Sequence, residues 1–109
     1  MGAAPPLRPL TVTVKNISGV PLECQVLGAH WYAQPPLPLP PGRNVTLTLS
    51  VLGDQLRMEA GLPVERVYCG LAGQAWQTRG EFDLKRLTLR PQAGVTCRVA
   101  GNSAACNTE

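Results

Sequence analysis

Four cysteines and a handful of ring side chains are the residues of this chain whose chemistry can be weighed first. His30, Trp31 and Tyr32 stand together just before a proline-rich stretch, and Trp76 lies near several glycines. Exposed, such rings make a platform for a sugar or a peptide, because each offers an apolar face and a polar edge. Buried, Trp31 or Trp76 would instead plug one end of a core. The candidate ligand-binding residues are therefore His30, Trp31, Tyr32 and Trp76.

Catalysis finds little to use. His30 is the single histidine, so a Ser-His-Asp or Cys-His arrangement must be built on it with partners that the sequence does not mark. There is no nucleophile elbow. Glu23, Glu59, Glu65, Glu81 and Asp83 are the acidic candidates for a carboxylate pair, but single acidic residues on strand faces are usually solvated. The glycines punctuate turns and do not form a phosphate-cradling loop. His30 with Met58 suggests copper, yet Met58 falls at an alternating core position. The expectation is no catalytic residue, no cofactor and no metal.

The cysteines point to bridges. In "CRVAGNSAAC", residues 97–106, a two-residue loop at Gly101-Asn102 places Ala100 opposite Ser103, Val99 opposite Ala104, Arg98 opposite Ala105 and Cys97 opposite Cys106. A Gly-first loop suits a type II′ turn. Counting outward, Cys97 and Cys106 fall at a non-hydrogen-bonded pair with Cα atoms about 4.5 Å apart, inside the range of roughly 4.4–6.8 Å that disulfides accept. Cys24 and Cys69 are then left for each other. Zinc competes for four cysteines, but there is no Cys-x-x-Cys pair, and the spacings of 45, 28 and 9 match no common zinc pattern. Two bridges imply an oxidising compartment, the periplasm or the exterior.

A chain of 109 residues makes one domain with one modest core. Hydrophobic residues at 44%, charged residues at 16%, and eleven each of Gly and Pro favour short strands joined by turns. The net charge is +3. Arg79, Lys85, Arg86, Arg90 and Arg98 are interrupted by Glu81 and Asp83, which reads as a solvated face and not as a nucleic-acid site. "MGAAPPLRPL" holds no apolar run long enough for a signal peptide or a membrane span. The expectation is that residues 1–8 form a flexible tail and that an export signal has been removed.

The elements that position these residues are strands. "LTVTVKN" alternates Leu10, Val12 and Val14 against polar residues, and "NISG" supplies the turn. "LECQVLGAHWY" turns Leu22, Cys24 and Val26 to one face and is expected to bend near Gly28. The prolines of "AQPPLPLPPGR" lack amide donors, so the segment is expected to cross the surface in extended form and to close a sheet edge or dock a partner. "NVTLTLSVL" points Val45, Leu47, Leu49 and Val51 inward. "QLRMEA" and "VERVYCG" are two further strands. "EFDLKRLTL" carries apolar Phe82, Leu84, Leu87 and Leu89, with a phase slip at Lys85-Arg86 that a bulge or a brief helical turn would absorb. Asn16-Ile-Ser and Asn44-Val-Thr match the glycosylation sequon.

Together these segments predict an all-β antiparallel sandwich of about seven or eight short strands, stapled by two disulfides. "VTVKNISGVPLECQV" followed by "LPPGRNVTLTLSV" resembles the opening of bacterial immunoglobulin-like accessory domains of exported proteins. There, an Asn-x-Ser-Gly turn joins the first two strands and a Pro-Gly leads into a Thr-rich strand. The likeness covers about half the chain. Antibody-type domains fit less well, because Trp31 follows Cys24 by only seven residues and Tyr68 adjoins Cys69. The resemblance implies a scaffold, from which no function follows. The expected function is a monomeric, non-catalytic binding or assembly module, periplasmic or secreted, whose partner is an unknown protein or polysaccharide. A small carbohydrate-binding domain is the narrower alternative, and a small hydrolase the outsider.

Overall fold

A computed structural model describes residues 7–109. Nine strands are formed among the described residues: β1 Leu7–Asn16, β2 Leu22–Gly28, β3 Leu37–Leu39, β4 Asn44–Leu52, β5 Gln55–Arg57, β6 Val64–Leu71, β7 Gly80–Glu81, β8 Gln92–Ala100 and β9 Ser103–Thr108. A single helical turn, α1 Leu84–Leu87, lies between β7 and β8. The strands make two sheets, ordered β5-β4-β1-β8-β9 and β3-β2-β6-β7. The five-stranded sheet curls into a half-barrel. Leu7 and Arg8, expected in a tail, already belong to β1; residues 1–6 lie outside the described residues.

The alternation read from the sequence places the core. Leu10, Val12 and Val14 of β1, Leu47, Leu49 and Val51 of β4, and Leu22, Cys24 and Val26 of β2 are all buried in one hydrophobic cluster shared by the two sheets. Asn16 ends β1 as a fully buried polar residue. Its amide nitrogen donates to the carbonyls of Val20 (2.8 Å) and Leu39 (3.0 Å), and its side-chain oxygen accepts from the Ser18 amide (2.8 Å) and hydroxyl (2.6 Å). The turn and β3 are thereby pinned to β1. Both amide hydrogens of Asn16 are in use, so this sequon is a structural bracket. Asn44 is exposed.

The hairpin at residues 97–106 has the expected register, from Ala100↔Ser103 out to Cys97↔Cys106. Gly101 takes φ 63° while Asn102 has no positive φ, the pattern of a type II′ turn. Both disulfides form: Cys97–Cys106, with Cα atoms 4.1 Å apart, and Cys24–Cys69, with Cα atoms 4.0 Å apart. The Cys24–Cys69 bridge joins directly opposed residues of neighbouring strands β2 and β6.

One detail departs from the sequence reading, and two others select among the alternatives it left open. The arrangement is not wholly antiparallel, because β1 and β8 run parallel from Thr11↔Gln92 to Asn16↔Cys97. β1 is the central strand of the larger sheet and β8 lies beside it; the two are far apart in sequence, so no hairpin constrains their direction. The proline-rich segment contributes an edge strand, β3, with Pro38 opposite Glu23. The segment after Glu81 does not continue as a strand. Asp83 accepts from the amides of Lys85 (3.1 Å) and Arg86 (3.2 Å), so it caps a helical turn that absorbs the phase slip. That turn buries Leu87 but leaves Leu89 exposed, so Leu89 is not a core residue.

Candidate functional site

The site grows from the end of β2. Beyond Leu27 the pairing with β6 shifts register at Gly28, giving the expected bend. The chain then reverses through Ala29-His30-Trp31-Tyr32: the Tyr32 amide donates to the Ala29 carbonyl (3.3 Å), and the Gly28 amide donates to the Tyr32 carbonyl (2.8 Å). His30 and Trp31 occupy the two central positions at φ 61° and 64°. Two consecutive positive φ values define a type I′ turn, which normally carries Asn-Gly. Histidine tolerates the left-handed region better than most residues, but a bulky tryptophan there is an outlier held by its surroundings. Trp31 gains no burial in exchange, because it is 101% exposed.

His30, Trp31 and Tyr32 line one open cleft of about 400 Å³ with Leu27, Gly28, Glu65 and Arg66. Tyr32 also borders a second hollow of about 510 Å³ with Gln34, Pro35, Leu37 and Glu59. The first cleft combines an exposed apolar ring with an acid, a guanidinium and an imidazole, so it can stack on one face of a ligand and hydrogen-bond to its edge. No serine, threonine or cysteine lines it.

Trp76 is elsewhere. It is half-exposed and packs on the outer face of the four-stranded sheet, edge-on to Tyr68 with ring centroids 5.6 Å apart. The Arg79 guanidinium stacks on it at 3.8 Å, and Arg66 lies 5.8 Å from its centroid. Both arginines bind the same Glu81 oxygen, Oε2, at 2.6 Å (Arg66) and 3.1 Å (Arg79). The loop carrying Trp76 lies so close to β6 that a Cβ at Gly70 would stand 2.2 Å from the Ala75 carbonyl oxygen. Trp76 is thus a lid over Tyr68, whose phenol burial pushes above its ordinary value; Arg79 pulls it back, and Glu23 and Glu81 add to the rise.

The structure brings His30, Trp31 and Tyr32 together and leaves Trp76 outside their cleft. Arg66, which sequence reasoning did not single out, touches both groups. Three of the five acidic candidates have local duties: Glu23 accepts from the Gly73 amide (3.1 Å), Glu81 holds the two arginines, and Asp83 caps α1. Met58 is in the core and His30 is on the surface. The one group of metal-ligand type among the described residues is Cys69, Cys97 and Cys106, whose sulfurs are bonded in the disulfides. No helix among the described residues is long and apolar enough to cross a membrane. Two disulfide-stapled β-sheets around a common core, with an aromatic cleft at one end, define the class of protein. Comparison with protein-family models, curated proteins and solved structures found no match.

Proposed function

We propose that this chain is a non-catalytic binding module of the periplasm or the extracellular space, an immunoglobulin-like sandwich of bacterial type acting as a monomer. Its contact surface is the cleft of His30, Trp31, Tyr32, Glu65 and Arg66. The observation that carries this reading is Trp31, an uncovered ring at the apex of a turn whose backbone it strains. A turn that served only as a connection gains from Asn-Gly; a ring kept there at a cost of order 1–3 kcal/mol is explained by what it touches. The two disulfides support an oxidising compartment. The test exposes immobilised wild-type and Trp31→Ala protein in parallel to an exported-protein fraction. A partner held by wild type and lost from the variant supports the reading, and equal retention by both overturns it.

A saccharide is the second reading, favoured by the mixed lining of the cleft, in which Glu65, Arg66 and His30 surround the rings of Trp31 and Tyr32. Titration with soluble polysaccharides, followed by tryptophan fluorescence, separates the two. A saturable change that disappears in Trp31→Ala selects the sugar.

A further inference from the structure

The two disulfides belong to different sheets. Cys24–Cys69 ties β2 to β6 within the four-stranded sheet, and Cys97–Cys106 ties β8 to β9 within the five-stranded one, so no disulfide joins the sheets to each other. Their sulfurs nonetheless meet across the core. The Sγ atoms of Cys69, Cys97 and Cys106 all lie within 4.8 Å of one another, and Cys24 Sγ falls outside that group. Access is unequal as well. Cys24, Cys69 and Cys97 are 1%, 0% and 0% exposed. Cys106 is half-buried on edge strand β9, where it lines an open cleft with Glu81, Asp83, Arg86, Asn107 and Thr108.

We propose that Cys106 is the entry site for an external thiol and that Cys97 relays the exchange to Cys69, replacing the two within-sheet bridges by one bridge between the sheets. In the first step the external thiolate attacks Cys106 Sγ. A mixed disulfide forms, the Cys97–Cys106 bond breaks, and its electron pair leaves on Cys97. In the second step the Cys97 thiolate attacks Cys69 Sγ; the Cys69–Cys97 bond forms, the Cys24–Cys69 bond breaks, and Cys24 leaves as a thiolate that takes a proton from water. One thiol enters and one is released, with two disulfides before and two after, so no oxidant or reductant is consumed. Exchange proceeds by attack of a thiolate on a disulfide sulfur, and Cys69 Sγ lies within 4.8 Å of Cys97 Sγ, whereas Cys24 Sγ is outside that group.

The test uses reduced glutathione on the native protein at mildly alkaline pH, followed by acid quenching, alkylation without reduction, and trypsin. Cleavage leaves each cysteine on its own fragment: Cys24 in residues 16–43, Cys69 in 67–79, Cys97 in 87–98 and Cys106 in 99–109. The expected products are glutathione on 99–109, a disulfide joining 67–79 to 87–98, and alkylated 16–43. Alkylated 87–98 with 16–43 still joined to 67–79, glutathione on 87–98, or no adduct at all overturns the relay. A Cys106→Ser variant starts the relay without added thiol. It should be alkylated on 16–43, and alkylation on 87–98 instead overturns the proposal; if this variant does not fold, the wild-type experiment still decides.

Discussion

Replacing Trp31 by glycine should make the protein more stable, which is the reverse of what removing a tryptophan usually does. Trp31 is fully exposed, so its ring contributes no buried area that could be lost. Its backbone stands at φ 64°, where a side chain with a Cβ meets the following carbonyl at a cost of about 1–2 kcal/mol. Glycine removes that clash and adds back about 0.5–1 kcal/mol of chain entropy in the unfolded state. The net gain is about 0–1.5 kcal/mol, and its midpoint of about 0.75 kcal/mol corresponds to a rise of roughly 3–6 °C in Tm for a domain of this size. Trp31→Ala keeps the Cβ and its clash, so it should melt with wild type. Thermal denaturation followed by circular dichroism on the three proteins measures the order directly. Trp31→Gly no more stable than Trp31→Ala, or Trp31→Ala several degrees below wild type, would refute the strained-turn argument. The same glycine variant should lose the partner that wild type retains, so stability and binding should move in opposite directions.

Asn16→Ala leaves the Val20 and Leu39 carbonyls without their shared donor in a buried site, and chemical denaturation should show a loss of about 2–4 kcal/mol. Replacing Cys97 and Cys106 by Ala should cost about 2.5–3 kcal/mol and replacing Cys24 and Cys69 about 4 kcal/mol, because the second bridge closes the longer loop of the unfolded chain; urea melts of the two double variants check the ranking. Gly70→Ala drives a Cβ into the Ala75 backbone, which cannot swing aside, so Trp76 should lose its seat on Tyr68 and its fluorescence should shift to the red. Burial raises the Tyr68 phenol above its ordinary value. Above about pH 10 the unfolded chain therefore releases this proton before the folded one does, and stability should fall as pH rises until the folded value is passed. Tyr68→Phe should lack that component of the decline, as alkaline urea melts can show.

Features set by local residues are legible in the sequence, and the rest depend on contacts between distant segments. The hairpin of residues 97–106 was legible because strand parity and one Gly-first turn fix every pair between the cysteines. β4 was legible from its alternation alone. At Lys85-Arg86 the phase slip announced a break, and the Asp83 cap explains why the break is helical. The direction of β8 beside β1 was hidden, since both strands show an alternation that serves a parallel or an antiparallel neighbour equally well. The turn at His30-Trp31 was hidden for a different reason. Residues in the left-handed region are recognised by glycine or asparagine, and here neither is present; only the cluster of rings drew attention to the place. Arg66 carried no signal, because its two neighbours, the Trp31 cleft and Trp76, come together only when β6 pairs with β2.

Elsewhere the residues agree with the structure they occupy: Asn16 closes its turn, Asp83 caps its helix, and the apolar members of β1, β2 and β4 face one core. The departures are concentrated. Among the described residues, the non-glycine positions with positive φ are His30 and Trp31 alone, and the most exposed large hydrophobic side chain is Trp31 itself. Arg66, which lines the same cleft, has its guanidinium held by Glu81 and drawn toward Trp76. A ligand bonding to Arg66 in the cleft must therefore share it with Glu81, whose Oε2 also holds Arg79 against Trp76. Exposed ion pairs of this kind are worth about 0–1 kcal/mol, so the guanidinium can be redirected without threatening the fold. Strain at the turn and a loosely held charge beside it are local inconsistencies that folding does not require, and such places are where function is expected to sit. The same glutamate then links the cleft to the Trp76 lid, because drawing Arg66 toward a ligand leaves Glu81 to Arg79 alone.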